Sequence, residues 1–152
     1  VPDLPVAVDA MGGDRAPAEI VAGARRAVEQ HGIPVVLYGQ RAAIGDAGGL
    51  EVVETTEVVG MGEDPAAAIR RKRDSSVVRA AEAVRDGQAA AMVSAGNTGA
   101  AVASALLRMG RISGVQRPGI ATVLPVPGSI PTILLDSGAN AECAPAWLAQ
   151  FG

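Results

Sequence analysis

Short apolar runs, each broken by glycine or an acidic residue, divide this sequence into alternating strands and helices. Pro5-Val6-Ala7-Val8 runs into Asp9 and Met11-Gly12-Gly13-Asp14, the pattern of a buried strand ending in a glycine turn. Apolar positions at Ile20, Val21, Ala24, Ala27 and Val28 then recur at helical spacing, so Pro17 to His31 is expected to be a helix closed by Gly32. Val35 to Tyr38 and the β-branched stretch Leu50 to Thr56 read as strands, with a short, weak helix over 41–48 between them. Helical spacing returns from Asp64-Pro65 to Lys72 and again from Ser75 to Gly87, where Asp74, Ser75 or Ser76 could cap the second piece. Ala89 to Ser94 reads as a strand, Gly96 to Gly99 as a turn, and Ala100 to Met109 as a helix stopped by Gly110. Pro118 to Val126 and Thr132 to Leu135 follow as two strands around the turn Pro127-Gly128-Ser129, and the segment from Ala144 to Phe151 resembles a helix just starting.

Continuously apolar strands alternating with helices imply an α/β layered fold with a mostly parallel sheet flanked by helices. Antiparallel pairing is open for several strands, and is expected above all for the pair between 119 and 135. At 152 residues the chain reads as a single α/β region, residues 1–152. Composition adjusts the picture in two places. With one Trp, one Tyr and one Phe, base stacking on aromatic platforms is disfavoured, and a formal charge of -3 gives no nucleic-acid footprint. Cys143 is the lone cysteine, which suits a reducing compartment. No apolar run reaches a membrane-spanning length, and Val1-Pro2-Asp3 lacks a signal-peptide layout, so a cytoplasmic protein is expected.

Three loops share one design, an apolar strand entering small and polar residues: Asp9 to Asp14, Ser94 to Gly99, and Asp136 to Asn140. Ligands of open parallel sheets sit beyond the carboxyl ends of strands, so the three are expected to form one site, the alternative being that Gly and Asx residues simply make turns. Ser94-Ala95-Gly96-Asn97-Thr98-Gly99 is the strongest anion candidate, because unbonded N–H groups and the dipole of the following helix favour a phosphate there. It lacks the spacing and lysine of a P-loop and does not match GxGxxG. An ordinary helix cap by Asn97 or Thr98 is the competing reading. Arg70-Arg71-Lys72-Arg73 is the one basic cluster, either a solvated face, a source of phosphate contacts, or a docking patch for an acidic partner. Asp9, Asp14 and Asp136 have no His or Cys at a ligand spacing and would suit only a hard ion such as Mg²⁺. Loop bracing is the reading retained, with no metal expected. His31 at a helix end complements the dipole and is not expected to catalyse.

Val8-Asp9-Ala10-Met11-Gly12-Gly13-Asp14, Asp64-Pro65 with Ala68-Ile69-Arg70 and Asp74-Ser75-Ser76, Ser94 to Ala100, Arg117-Pro118-Gly119-Ile120, and Leu135 to Asn140 together resemble the PlsX family of bacterial phosphate acyltransferases. The resemblance runs from residue 6 to residue 151. Family members are about double this length, so it implies the N-terminal part of a larger enzyme. It also implies a fold similar to the isopropylmalate and isocitrate dehydrogenases and to phosphate acetyltransferase. The implied activity is transfer of a long-chain acyl group from acyl carrier protein to inorganic phosphate. The implied product feeds a membrane glycerol-3-phosphate acyltransferase in phospholipid synthesis. A homodimer peripheral to the membrane, without a cofactor, goes with it. On this reading Ser94, Asn97 and Thr98 are the catalytic candidates. Gly96, Gly99, Ala100, Arg70, Lys72, Asp9, Gly12, Gly13, Asp14, Asp136, Gly138 and Asn140 are the binding candidates. Arg15 stands where the family usually carries His, so no His base is implied there, and Arg73 replaces a common Lys. The alternatives are a Mg²⁺-dependent, NAD-linked hydroxy-acid dehydrogenase of the same broad fold, or a noncatalytic phosphate- or acyl-carrier-binding module.

Overall fold

A computed structural model describes residues 4–152, so the expectation built on Val1 to Asp3 lies outside the described residues. The chain divides into two compact units, the first reaching Met109 and the second spanning Gly110–Gly152.

In the first unit the elements follow the apolar runs: β1 (Val6–Asp9), α1 (Ala18–His31), β2 (Val35–Gly39), α2 (Arg41–Ile44), β3 (Glu51–Glu54), α3 (Pro65–Arg71), α4 (Ser76–Arg85), β4 (Ala91–Ser94) and α5 (Thr98–Ser104). The four strands form one parallel sheet in the order β3-β2-β1-β4. Successive residues of a strand face opposite sides, which sorts the core into two layers. Val8, Leu37 and Val52 pack with Val21 and Ala24 of α1, while Ala7 and Tyr38 on the other face pack with Ala80 and Ala83 of α4. Because Ala7, Ala80 and Ala81 are wholly buried, α4 presents methyl groups rather than long side chains to the sheet. This is how a chain almost without aromatics fills its core.

Helix ends are set by local chemistry. Gly32 at φ 64 closes α1, its N–H donating to Val28 O at 2.9 Å, a left-handed conformation that glycine adopts without strain. Asp64 caps α3 by accepting from Ala67 N at 2.7 Å, and Pro65 occupies the first helical position, where a missing N–H costs nothing. At α4 the residue in the cap position is Ser75, yet its hydroxyl donates backwards to Lys72 O instead of capping. Asp74 turns away to accept from the Thr56 N–H at 2.9 Å, from the Thr56 hydroxyl at 2.7 Å and from Arg79 at 2.8 Å. The expected helix over 100–109 starts at Thr98 and widens into a π-helical segment over Ala105–Met109. The weak helix expected over 41–48 shrinks to Arg41–Ile44, with Gly45 at φ 65 ending it.

The hydrogen bond from the Thr56 hydroxyl, reinforced by the Thr56 N–H and Arg79, holds the Asp74 carboxyl below the usual carboxylate range. A depressed folded-state pKa stabilises the fold at pH above the unfolded value and is lost as pH falls through the folded one. Asp74→Asn is therefore expected to flatten the dependence of stability on pH below about pH 4. Urea titrations at a series of acidic pH values would read this, and an unchanged slope would refute it.

The second unit holds β5 (Thr122–Leu124), β6 (Thr132–Leu134) and α6 (Pro145–Phe151). β5 and β6 are antiparallel, with Val123 opposite Ile133, and lie outside the parallel sheet. The strand expected from Pro118 to Val126 is reduced to Thr122–Leu124, as prolines 118 and 125 supply no N–H to a ladder. In α6, Trp147 donates to Gln116 Oε1 at 2.8 Å and lies 5.0 Å under the Arg117 guanidinium, while Phe151 rests where Gly119 lacks a side chain.

Candidate functional site

From β1 the chain builds β2 and β3 on one side, then returns to add β4 on the other. Such a reversal leaves a crevice beyond the carboxyl ends of the two strands that part there. Those ends are Asp9 and Ser94, directly in register.

Asp9 is 3% exposed. One carboxylate oxygen accepts from Met11 N at 3.1 Å and the other from the Ser94 hydroxyl at 2.7 Å, whose oxygen in turn accepts from Gly96 N at 3.2 Å. The loops after β1 and β4 touch through their glycines. A Cβ on Gly12 would lie 2.9 Å from Gly96 N, and one on Gly96 would lie 2.9 Å from Gly12 Cα. Gly13, at φ 120, then carries the chain away towards α1.

Asn97 stands in the cap position of α5, its Oδ1 accepting from Ala100 N at 3.0 Å. Its Nδ2 donates to Met61 O at 3.0 Å and Glu63 O at 3.2 Å, tying a third loop to the start of the helix. Gly99 completes that junction, since a Cβ there would come within 2.6 Å of Pro65 at the start of α3. Met61, Glu63 and Pro65 thus border the site although sequence reasoning gave them no part in it. Two signals bore on this segment: Asp64-Pro65 opens a helix near the basic cluster, and it stands among the motifs that carry the family resemblance. With Gly96 N bonded to Ser94 and Ala100 N bonded to Asn97, the N–H groups of Thr98 and Gly99 find no acceptor among the described residues. First-turn amides of a helix point outward along its axis, so these two are available to an anion. Thr98 is exposed beside them.

Other predicted residues lie differently. Lys72 follows α3 at the end opposite Pro65, and its ammonium donates to Val58 O at 2.6 Å and pairs with Glu63 at 2.5 Å. Its hydrogen bond, with that of Gly60 N–H, keeps the Glu63 carboxyl below the usual range. Arg70 is exposed near the same end of α3. Asp14 and Arg15 are exposed after the glycine turn. Asp136, Gly138 and Asn140 belong to the second unit. There the Asp136 carboxylate accepts from Ile120 N at 2.6 Å, Asn140 N at 2.8 Å, Asn140 Nδ2 at 2.9 Å and Ala139 N at 3.3 Å, the Ile120 bond chief among those that lower its pKa. Gly138 supplies the turn at φ 95, and Asn140 Nδ2 also donates to Pro118 O at 3.0 Å. These groups brace a loop of that unit. Among the described residues no cluster of three or more His, Cys, Asp or Glu is placed to hold a metal ion.

A family model described as Fatty acid synthesis protein matches residues 4–152. The chain belongs to that family. It is the PlsX family that the motif set resembles. Among curated relatives, the phosphate acyltransferase of Pelotomaculum thermopropionicum is 53% identical, over 98% of this chain and 45% of its own length. Those of Desulforamulus reducens and of a Nostoc species are 50% and 48% identical, over 97% and 96% of this chain and 46% and 45% of their own lengths. The chain thus spans about half the length of the curated relatives it matches. As a member of the fatty acid synthesis protein family it carries the α/β layering expected from its sequence, a parallel sheet flanked by helices. Among the described residues no helix is long and apolar enough to cross a membrane.

Proposed function

We propose that this chain is the N-terminal part of a larger enzyme domain that transfers a long-chain fatty acyl group from acyl carrier protein to inorganic phosphate. The family membership and the relatives named phosphate acyltransferase support the reaction class. The observation that carries the site is the pair of unbonded amides on Thr98 and Gly99, opening beyond the Asp9–Ser94 strand ends at the sheet reversal. Two N–H groups at a helix start, with glycines that carry no side chain and one exposed threonine around them, suit a small tetrahedral anion that must still expose an oxygen.

In the proposed reaction a phosphate oxygen attacks the thioester carbonyl carbon, and a C–O bond forms as the carbonyl oxygen becomes an oxyanion. Collapse of this intermediate breaks the C–S bond and expels the carrier thiolate, which takes a proton from solvent. Phosphate is already a nucleophile and the thiolate leaves readily, so the chain's contribution is positioning and charge stabilisation. The product is an acyl phosphate for the membrane glycerol-3-phosphate acyltransferase of phospholipid synthesis. A cytoplasmic homodimer peripheral to the membrane is the assembly we infer with it. This assembly rests on the family resemblance alone.

One substitution removes a cradle amide without removing the helix. Thr98 is the first residue of α5 and is preceded by Asn97 at φ -59 and ψ 112, backbone values that suit a following proline. In the full-length enzyme Thr98→Pro is expected to raise the KM for phosphate roughly tenfold while melting temperature holds, the loss of one charge-assisted hydrogen bond. Thr98→Ala, which retains the N–H, should change it little. Equal phosphate KM values for the two variants would remove the amide from the cradle. Absence of acyl phosphate from acyl carrier protein substrate and phosphate would remove the function itself.

A further inference from the structure

We propose that Asp9 is a positioning residue that sets both walls of the crevice at once, and that Ser94 is its relay rather than a nucleophile. A serine hydroxyl has one proton, and that of Ser94 is committed to Asp9 at 2.7 Å. The same oxygen accepts the Gly96 N–H at 3.2 Å, which fixes the plane of the peptide entering the Asn97–Gly99 turn. On the other side the carboxylate takes the Met11 N–H at 3.1 Å and so fixes the turn into Gly12. Asp9 itself is anchored by the parallel ladder, opposite Tyr38 on one side and Ser94 on the other.

Three features point the same way. Asp9 is almost wholly buried, and its carboxylate has no ion-pair partner among the described residues, a costly placement that a neutral side chain would avoid. Its two described hydrogen bonds lead to two different loops, so the charge links them. The glycine over it admits no side chain, because a Cβ on Gly12 would run into Asp9 Oδ2 as well as Gly96 N. A carboxylate in this position holds the Gly12–Gly96 seam closed and the Thr98 and Gly99 amides in a fixed direction. A Ser94 nucleophile would have to surrender the Gly96 bond as its oxygen moved to the thioester.

The kinetic part of the test rests on the proposed transfer to phosphate, and the exchange part does not. In the full-length enzyme Asp9→Asn and Ser94→Ala are each expected to raise the KM for phosphate about tenfold with kcat reduced less than threefold, as misplacement of a binding group does. The double variant should be no worse than either single one, because both remove the same relay. Ser94→Thr, which keeps the hydroxyl, should restore phosphate KM to within about twofold. Hydrogen exchange of the 94–100 amides should quicken in Asp9→Asn and Ser94→Ala while that of α4 stays unchanged. Multiplying losses in the double variant, or unaltered exchange over 94–100, would overturn the proposal. A kcat loss of about a thousandfold in Ser94→Ala would also do so, marking a nucleophile instead. If Asp9→Asn fails to fold, the Ala and Thr variants at 94 read the relay alone. If the parent enzyme makes no acyl phosphate, the functional reading fails while exchange still decides the relay.

Discussion

Gly12→Ala in the full-length enzyme is expected to lower acyl-phosphate formation about a hundredfold, the scale of loss that follows a displacement of about 1 Å at a reacting centre. The added methyl would meet Gly96 N at 2.9 Å and the Asp9 carboxylate beneath it, neither of which is the free end of a flexible side chain. Backbone must therefore move, and overpacking of this kind costs roughly 1–3 kcal/mol of stability. Gly23 supplies the contrast. It lies within α1 with nothing within 4 Å of its absent Cβ, so Gly23→Ala should stabilise the fold by about 0.5–1 kcal/mol through helix propensity alone. Activity assays and denaturant titrations of the two variants side by side would check both signs. A Gly12→Ala enzyme with normal turnover would show that the seam is not part of the site.

Asn97→Ala carries the second large effect, and it is an effect on stability. The substitution removes the cap bond to Ala100 N, worth about 1 kcal/mol, and two bonds to the carbonyls of Met61 and Glu63, each worth about 1 kcal/mol. A loss of about 2–3 kcal/mol is expected from urea unfolding on these same terms, with a small change in phosphate KM. Asn97→Asp separates the two halves of the side chain. It keeps the cap acceptor and complements the helix dipole, but it loses both donors and sets a negative charge beside the Thr98 and Gly99 amides. Intermediate stability with a sharply raised phosphate KM is the expected pattern. Loss of phosphate affinity in Asn97→Ala at full stability would instead make its amide a direct ligand contact.

Much of the layering was readable from the sequence because it rests on local chemistry. Pro17, Gly32, Asp64-Pro65 and Gly110 mark helix ends through backbone rules that hold whatever surrounds them. The antiparallel pairing of β5 and β6 was readable from a proline and glycine turn between two apolar runs. Two details were not. The widening of the helix at Ala105–Met109 leaves no trace in an apolar pattern, and the Ser75 hydroxyl could cap or donate backwards equally well on paper.

At the site, the loops at the strand ends were legible, and the contacts that reach them from elsewhere in the chain were not. The loops after β1 and β4 have matching designs, and the structure brings them together at Asp9 and Ser94. Nothing in the spacing of Asn97 announces that its amide reaches Met61 and Glu63, more than thirty residues earlier. Lys72 offered a cation for phosphate on composition, but Glu63 takes that charge, a pairing visible only once the loop is folded against α3.

The strand order β3-β2-β1-β4 leaves β4 at a margin of the sheet, bonded to β1 on one side and with no strand on the other among the described residues. Val93 is 53% exposed on it. A row of backbone donors and acceptors with no strand partner among the described residues, beside an exposed valine, is a template for another strand. Handled at high concentration, this stretch of polypeptide should self-associate through β4, and a lysine in place of Val93 would be the economical way to keep it in solution.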